Sequence, residues 1–308
     1  MESALDAGHL PVGIGLVYFS HMKLLNTLNR QILPIVWLMG LCCFFGRLNG
    51  ASFLKIAHRG GFVTDSLPEN SFTALEEAIR RGYTHVEIDV RITKDSHVVC
   101  FHHDELMEQT GITGRISEMN LAQVQKVKLL HTGEHIPTLE ELCNKCAGRI
   151  DLMIDLKGCA NDQMDAYASE IESTLKKHHL LKNSLILINK TPINNQEKIA
   201  KRFLHKAKIS WRKSLEQTRA EQLVIPNLAS DYYVFNHGAD FDDQEVKGFQ
   251  KLGLSVIVSI NTGHYKSGDP VSLGLNDIKS MLAYGVDGIQ LDACYESGLT
   301  FISTNANE

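Results

Sequence analysis

Three carboxylates, a pair of adjacent histidines, a third histidine and two cations stand at the ends of short apolar runs in this 308-residue chain. Ile56-Ala57 leads into His58-Arg59-Gly60-Gly61; Pro68-Glu69-Asn70-Ser71 follows, then Val86-Glu87-Ile88-Asp89-Val90. Strand side chains alternate, so Glu87 and Asp89 share one face while Val86, Ile88 and Val90 take the other. Two acids on one buried face repel unless a cation or a proton sits between them. The pattern reads as a metal site beside a phosphate-binding turn. His103, preceded by His102, and Asp155-Leu156-Lys157 add a second proton carrier, a third carboxylate and a second cation. Oxygen donors suit one hard divalent ion, Mg²⁺ or Ca²⁺. Such an ion offsets charge on a phosphoryl group, Arg59 and Lys157 would hold the other phosphate oxygens, and two histidines can divide the proton transfers. Together these parts describe phosphodiester cleavage.

The elements that must position them are short. Apolar runs predict strands at Phe53–Ala57, His85–Arg91, Val98–Phe101, Asp151–Leu156, Ser184–Ile188, Lys208–Trp211, Tyr232–Phe235, Ser255–Ile260 and Gly288–Leu291. Helical periodicity fills Ser71–Arg81, Leu121–Val127, Leu139–Cys146, Asp162–His178, Asn195–His205, Asp242–Leu252 and Leu275–Ala283, with caps expected at Asn70, Asn161 and Asp240. Strand-helix alternation of this length predicts an α/β fold, a (β/α)8 TIM barrel. A doubly wound sheet is the alternative, but no G-x-G-x-x-G turn follows the first strand. His58, Glu87 with Asp89, and Asp155 with Lys157 fall at C-terminal strand ends, where barrel active sites lie.

A net charge of −5 argues against a nucleic-acid binder. Residues 1–50 stand apart from the barrel region at 51–308. Ile32 to Gly46 is uncharged and apolar, flanked by Arg30 and Arg47. It is shorter than the roughly 20 residues of a membrane span and fits the core of a signal peptide. Met22 is a second candidate initiator. A retained anchor is the competing reading, so the barrel is expected to be exported, or membrane-anchored and facing outside the cytoplasm. Of seven cysteines, Cys143 and Cys146 form a lone C-x-x-C, read as an incidental helical pair. His131, His135 and His264 are assigned no role, and oligomeric state is not legible.

The ordered set His58-Arg59-Gly60, Pro68-Glu69-Asn70-Ser71, Glu87-Ile88-Asp89-Val90, Thr93-Lys94-Asp95, His103-Asp104 with Thr110, Pro137-Thr138-Leu139-Glu140-Glu141-Leu142, Asp155-Leu156-Lys157 and Gly285-Val286-Asp287-Gly288-Ile289 resembles the glycerophosphodiester phosphodiesterase family. The resemblance implies a (β/α)8 barrel with one divalent ion, hydrolysing glycerophosphodiesters to glycerol 3-phosphate and an alcohol. It implies His58 and His103 as acid and base, and Glu87, Asp89 and Asp155 as metal ligands with Glu69 in or beside the shell. Arg59 and Lys157 become phosphate contacts. Spacing to Thr110 favours His103 over His102. The usual third Glu is Asp155, one methylene shorter. Val258 stands where the family often has Trp, which is expected to remove an aromatic wall. The short insertion after His103 leaves lysophospholipids open as substrates beside free glycerophosphodiesters, and an inactive envelope binding protein is a further alternative.

Overall fold

The computed structural model describes residues 52–188, 193–225 and 227–300. Eight parallel strands close into a ring: β1 (Leu54–Ala57), β2 (His85–Ile92), β4 (Asp151–Leu156), β5 (Leu185–Leu187), β6 (Lys208–Trp211), β7 (Tyr232–His237), β8 (Ser255–Ile260) and β9 (Gly288–Leu291), with β3 (Val98–Cys100) lying antiparallel on β2. β1 closes the ring by pairing with β9 on one side and β2 on the other. Among the described residues, seven longer helices cover it: α1 (Phe72–Arg80), α2 (Leu139–Cys146), α3 (Met164–Lys177), α4 (Ile193–Phe203), α5 (Leu215–Gln222), α6 (Asp243–Lys251) and α7 (Pro270–Tyr284). This is the expected (β/α)8 barrel.

Alternation along each strand builds two apolar layers. Val86, Ile88, Val90, Leu152, Ile154, Val256 and Val258 face the helices. Ile56, Met153, Leu185, Leu187, Tyr233, Phe235 and Ile257 fill the lumen. A barrel lumen packed this way is a core, not a pore. The excursion between β3 and α2 carries its own small core of Val99, Phe101, Leu106, Ile116, Val124, Val127, Leu129 and Ile136.

All nine expected strands are present, with ends shifted by a residue or two. Helix α5 has no counterpart among the expected helices, because Leu-Glu-Gln-Thr-Arg-Ala-Glu-Gln offers almost no apolar period. Its Ser214 cap, reciprocated by Gln217, was the available signal. Helix α7 begins at Pro270 rather than Leu275, since Asp269 caps it and Pro270 occupies its first turn. The expected caps also move: Ser71 caps α1, Gln163 precedes α3 without a side-chain cap bond, and Asp242 caps α6. Cys143 and Cys146 are free, buried against the sheet and pushed up in pKa, Cys146 to about 12, by that burial. Among the described residues no helix is long and apolar enough to cross a membrane; Ile32 to Gly46 lies outside them.

Candidate active site

The first turn after β1 is locked to β2 by a set of short bonds. Arg59 N–H donates to Glu87 Oε2 at 2.7 Å, and Gly60 N–H donates to the Glu87 carbonyl at 2.6 Å. Asn70 N–H donates to the Arg59 carbonyl at 2.8 Å; its side-chain amide donates to Asp89 Oδ2 at 2.9 Å and accepts the Asp89 N–H at 3.1 Å. Asn70 therefore ties the turn to the Asp89 carboxylate instead of capping α1. Gly60 has φ +84°, and a Cβ there would lie 2.4 Å from the Asn70 Cα. Gly60→Ala combines that collision with a left-handed backbone. It is expected to destabilise by at least about 1–3 kcal/mol and to loosen Glu87, read as a lower Tm together with weaker divalent-ion affinity.

Glu87, Asp89 and Asp155 place ligand oxygens within 4.8 Å of one another, and all three are buried. Lys157, only 4% exposed, bridges two of them, 2.6 Å from Asp89 and 2.5 Å from Asp155. Burial opposes its charge, but Asp89, Asp155 and Glu87 outweigh burial and hold its pKa up. Burial, then Asp89 and Asp155, push Glu87 well above the ordinary carboxylate range. Burial also opposes ionisation of Asp89, yet Lys157 and the Asn70 bond hold it down. One lysine does not balance three carboxylates, so the cluster takes either a further cation or a proton, which the raised Glu87 is placed to hold. Polar atoms nearby are left without hydrogen-bond partners: Arg59 Nε, His102 Nδ1 (4.0 Å from Glu69) and the hydroxyl of fully buried Tyr233, which feels the charge of Asp155 and Glu87. Three hard carboxylate donors fit a small divalent cation, while the unpaired Arg59 Nε–H suits an anion beside it.

Glu69 stands outside that cluster. Its carboxylate takes Arg59 Nη1 at 2.8 Å and the Gln109 amide. Burial raises its pKa, against the pull of Arg59. Of the two positions expected for it, in or beside the shell, the geometry shows Glu69 beside the cluster, with its oxygens on Arg59 and Gln109.

His58 holds Nδ1 2.6 Å from Asp292 Oδ1, while Asp292 Oδ2 accepts the N–H and hydroxyl of Thr262 at 2.8 and 3.0 Å. Burial pushes Asp292 up, but the His58 and Thr262 bonds win and hold it at about 2. Of the adjacent histidines, His102 lines the cavity above the cluster and His103 does not. His103 is 45% exposed and turns to Glu108 at 3.3 Å. The structure brings His102 to the cavity in place of the expected His103; Val99 and Phe101 face the satellite core, and His103 follows their alternation away from the cavity. Burial lowers the His102 pKa to about 3, so its imidazole is neutral near pH 7.

The cavity measures about 350 Å³ and is lined by His58, Arg59, Glu87, His102, Asp155, Lys157 and, across the ring, Arg212, His237 and His264. His264, given no role from sequence, thus belongs to the wall. A neighbouring cavity of about 650 Å³ shares His58, Arg59 and Asn261. Val258 is fully buried in the helix-facing layer, so its identity does not shape either cavity; Ser259, one residue on, faces in.

Fold and site define a (β/α)8 barrel carrying an acidic cation-type cluster and two histidines at its C-terminal rim. The chain belongs to the Glycerophosphoryl diester phosphodiesterase family, which it matches over residues 58–295. It is 32% identical over 120 residues to glycerophosphodiester phosphodiesterase 1 of Homo sapiens, covering 36% of each protein. It is 31% identical over 110 residues to the glycerophosphodiester phosphodiesterase of Caldanaerobacter subterraneus, covering 34% of this chain and 44% of that one. The chain spans less than half the length of the curated relatives it matches first, 44%, 33% and 36%. In fold it resembles an Oleispira antarctica phosphodiesterase solved with the product sn-glycerol-3-phosphate, at TM-score 0.62 and 24% identity, covering 80% of this chain and 96% of that one.

Proposed function

We propose that this chain is a divalent-cation-dependent phosphodiesterase that hydrolyses glycerophosphodiesters to glycerol 3-phosphate and an alcohol. The observation that carries it is a cavity where His58 and His102 meet Glu87 and Asp155, two members of the buried cluster that Asp89 completes. The names of the relatives and the product held by the Oleispira protein support the substrate class.

Glu87, Asp89 and Asp155 would hold one Mg²⁺ or Ca²⁺, which when bound supplies positive charge to a phosphoryl oxygen. Arg59, anchored by Glu69, presents its guanidinium to the cavity and pairs with phosphate oxygens. Lys157 keeps the cluster from repelling itself and adds positive potential at the phosphate position. His58 keeps Nδ1 on Asp292, which leaves Nε2 for the substrate. His102, not His103, is the second proton carrier: one imidazole takes the proton of the attacking water and the other gives a proton to the departing alkoxide.

Turnover of glycerophosphocholine and of a lysophosphatidylcholine, with phosphate-containing products identified, tests this reading. We expect glycerol 3-phosphate from the first, abolished by EDTA and restored by Mg²⁺ or Ca²⁺. Release of lysophosphatidic acid alone would move the function to lysophospholipids; metal binding without turnover of any diester would leave a binding protein. Export rests on residues 32–46 alone and is tested by N-terminal sequencing of the exported and membrane fractions; an intact segment confined to cytosol overturns it.

A further inference from the structure

The ring order places the ends of β6, β7 and β8 opposite those of β2 and β4, which carry the acidic cluster. Among the described residues, that opposite wall carries one fixed cation, Arg212, and two imidazoles. Arg212 follows β6 and lines the cavity, where its Nη2 donates to Asn236 Oδ1 at 3.0 Å. His237 ends β7, and its ring lies against His264, centroids 3.6 Å apart and tilted by 38°. His264 Nε2 in turn meets the Asn261 amide at 2.7 Å, so that nitrogen is occupied and the remaining ring nitrogen is the donor. The only carboxylates lining this cavity among the described residues, Glu87 and Asp155, lie in the cluster across from it.

A quaternary ammonium is recognised by aromatic faces or carboxylates. This wall offers neither, since Phe235, the one aromatic ring besides the histidines among the described residues that line it, is 6% exposed. A guanidinium fork backed by imidazole donors suits an anionic oxygen group. We propose that Arg212, His237 and His264 form a subsite for a carboxylate or phosphate on the alcohol half of the diester, and that it selects acidic alcohols over choline-type ones. Glycerol is neutral, so the acidic group must belong to the alcohol. The inference rests on the phosphodiesterase reading for its substrate, but binding tests it separately.

Glycerophosphoserine and glycerophosphoethanolamine differ by one carboxylate, which makes them the probes. With Mg²⁺ present, kcat/KM is expected to favour the serine diester by roughly tenfold or more, carried mainly by KM. Arg212→Ala should bring the ratio toward one, and Arg212→Lys should restore part of it; thermal melts establish that both variants fold. An inositol-phosphate diester measured alongside separates phosphate from carboxylate as the preferred anion. Calorimetric binding of the same diesters to His58→Ala protein should show the same order without turnover. Equal affinity, or no binding of either, overturns the subsite. Turnover of both at equal kcat/KM also overturns it while leaving the hydrolysis reading intact. No turnover with a retained, Arg212-dependent binding preference would sink hydrolysis and leave the subsite.

Discussion

His58→Ala is expected to lower kcat on glycerophosphodiesters by about 10²–10⁴-fold, the range for loss of a positioned proton carrier, with the melt and divalent-ion binding unchanged. The reason lies in what holds the ring. Asp292 fixes Nδ1 at 2.6 Å and is itself held by Thr262 from the β8 end. Its carboxylate, held at about 2, stays ionised through any working pH. The sign follows from a folded-state value below the usual 3.8: the contribution to stability is complete above that usual value and is lost as pH falls through about 2. Asp292→Asn should therefore cost less than His58→Ala, since the ring remains but loses its orientation, and it should also flatten the acid limb of the stability curve. The paired measurement is at residues 102 and 103. His102→Ala should lose about 10²-fold or more in kcat, whereas His103→Ala, which removes an exposed ring facing Glu108, should stay near wild type. A His103→Ala loss as deep as that of His102→Ala would return the second role to His103.

The two histidines mark where a sequence stops being informative. Apolar runs show the strands, and a period of two puts Glu87 and Asp89 on the lumen side without any further knowledge. The Arg59, Asn70, Glu87 and Asp89 interlock is also legible as a motif, although its logic is not: Asn70 reads as a helix cap until its amide is seen on Asp89. His102 against His103 depends on which way the chain faces two residues past β3, and a one-residue shift reverses the answer. Val258 differs for the opposite reason. Alternation along β8 already sends Val256, Val258 and Ile260 to the helices, and the family's Trp at that position obscures it. His264 gives no local signal, and Asp292, in the Leu291-Asp292-Ala293-Cys294 run that resembles a family motif, gives none of its partner. His58 and Asp292 are 234 residues apart and meet only because β1 and β9 close the ring.

The acidic cluster makes the strongest stability prediction. Lys157→Met keeps the side chain's length and removes its charge, so three buried carboxylates lose the cation bridging two of them. Breaking a buried ion pair from one side costs about 3–5 kcal/mol, because the remaining charge is left desolvated and unpaired. In EDTA the variant is expected to lose that much relative to wild type, measured by denaturant unfolding. Saturating Mg²⁺ or Ca²⁺ should recover most of it: an ion that binds the folded state alone stabilises by RT ln(1 + [L]/Kd), about 2.7 kcal/mol at a hundredfold excess over Kd. The deficit should also narrow as pH falls, since Glu87, already pushed upward by burial, takes a proton and removes one of the charges that Lys157 balanced. Were residue 157 there only for its apolar stem, the deficit would be the same at every pH and with or without the ion. If Lys157→Met unfolds at the wild-type denaturant concentration in EDTA, the carboxylates are already neutralised by protons in the apo protein, and a cation is not what the cluster was built to receive.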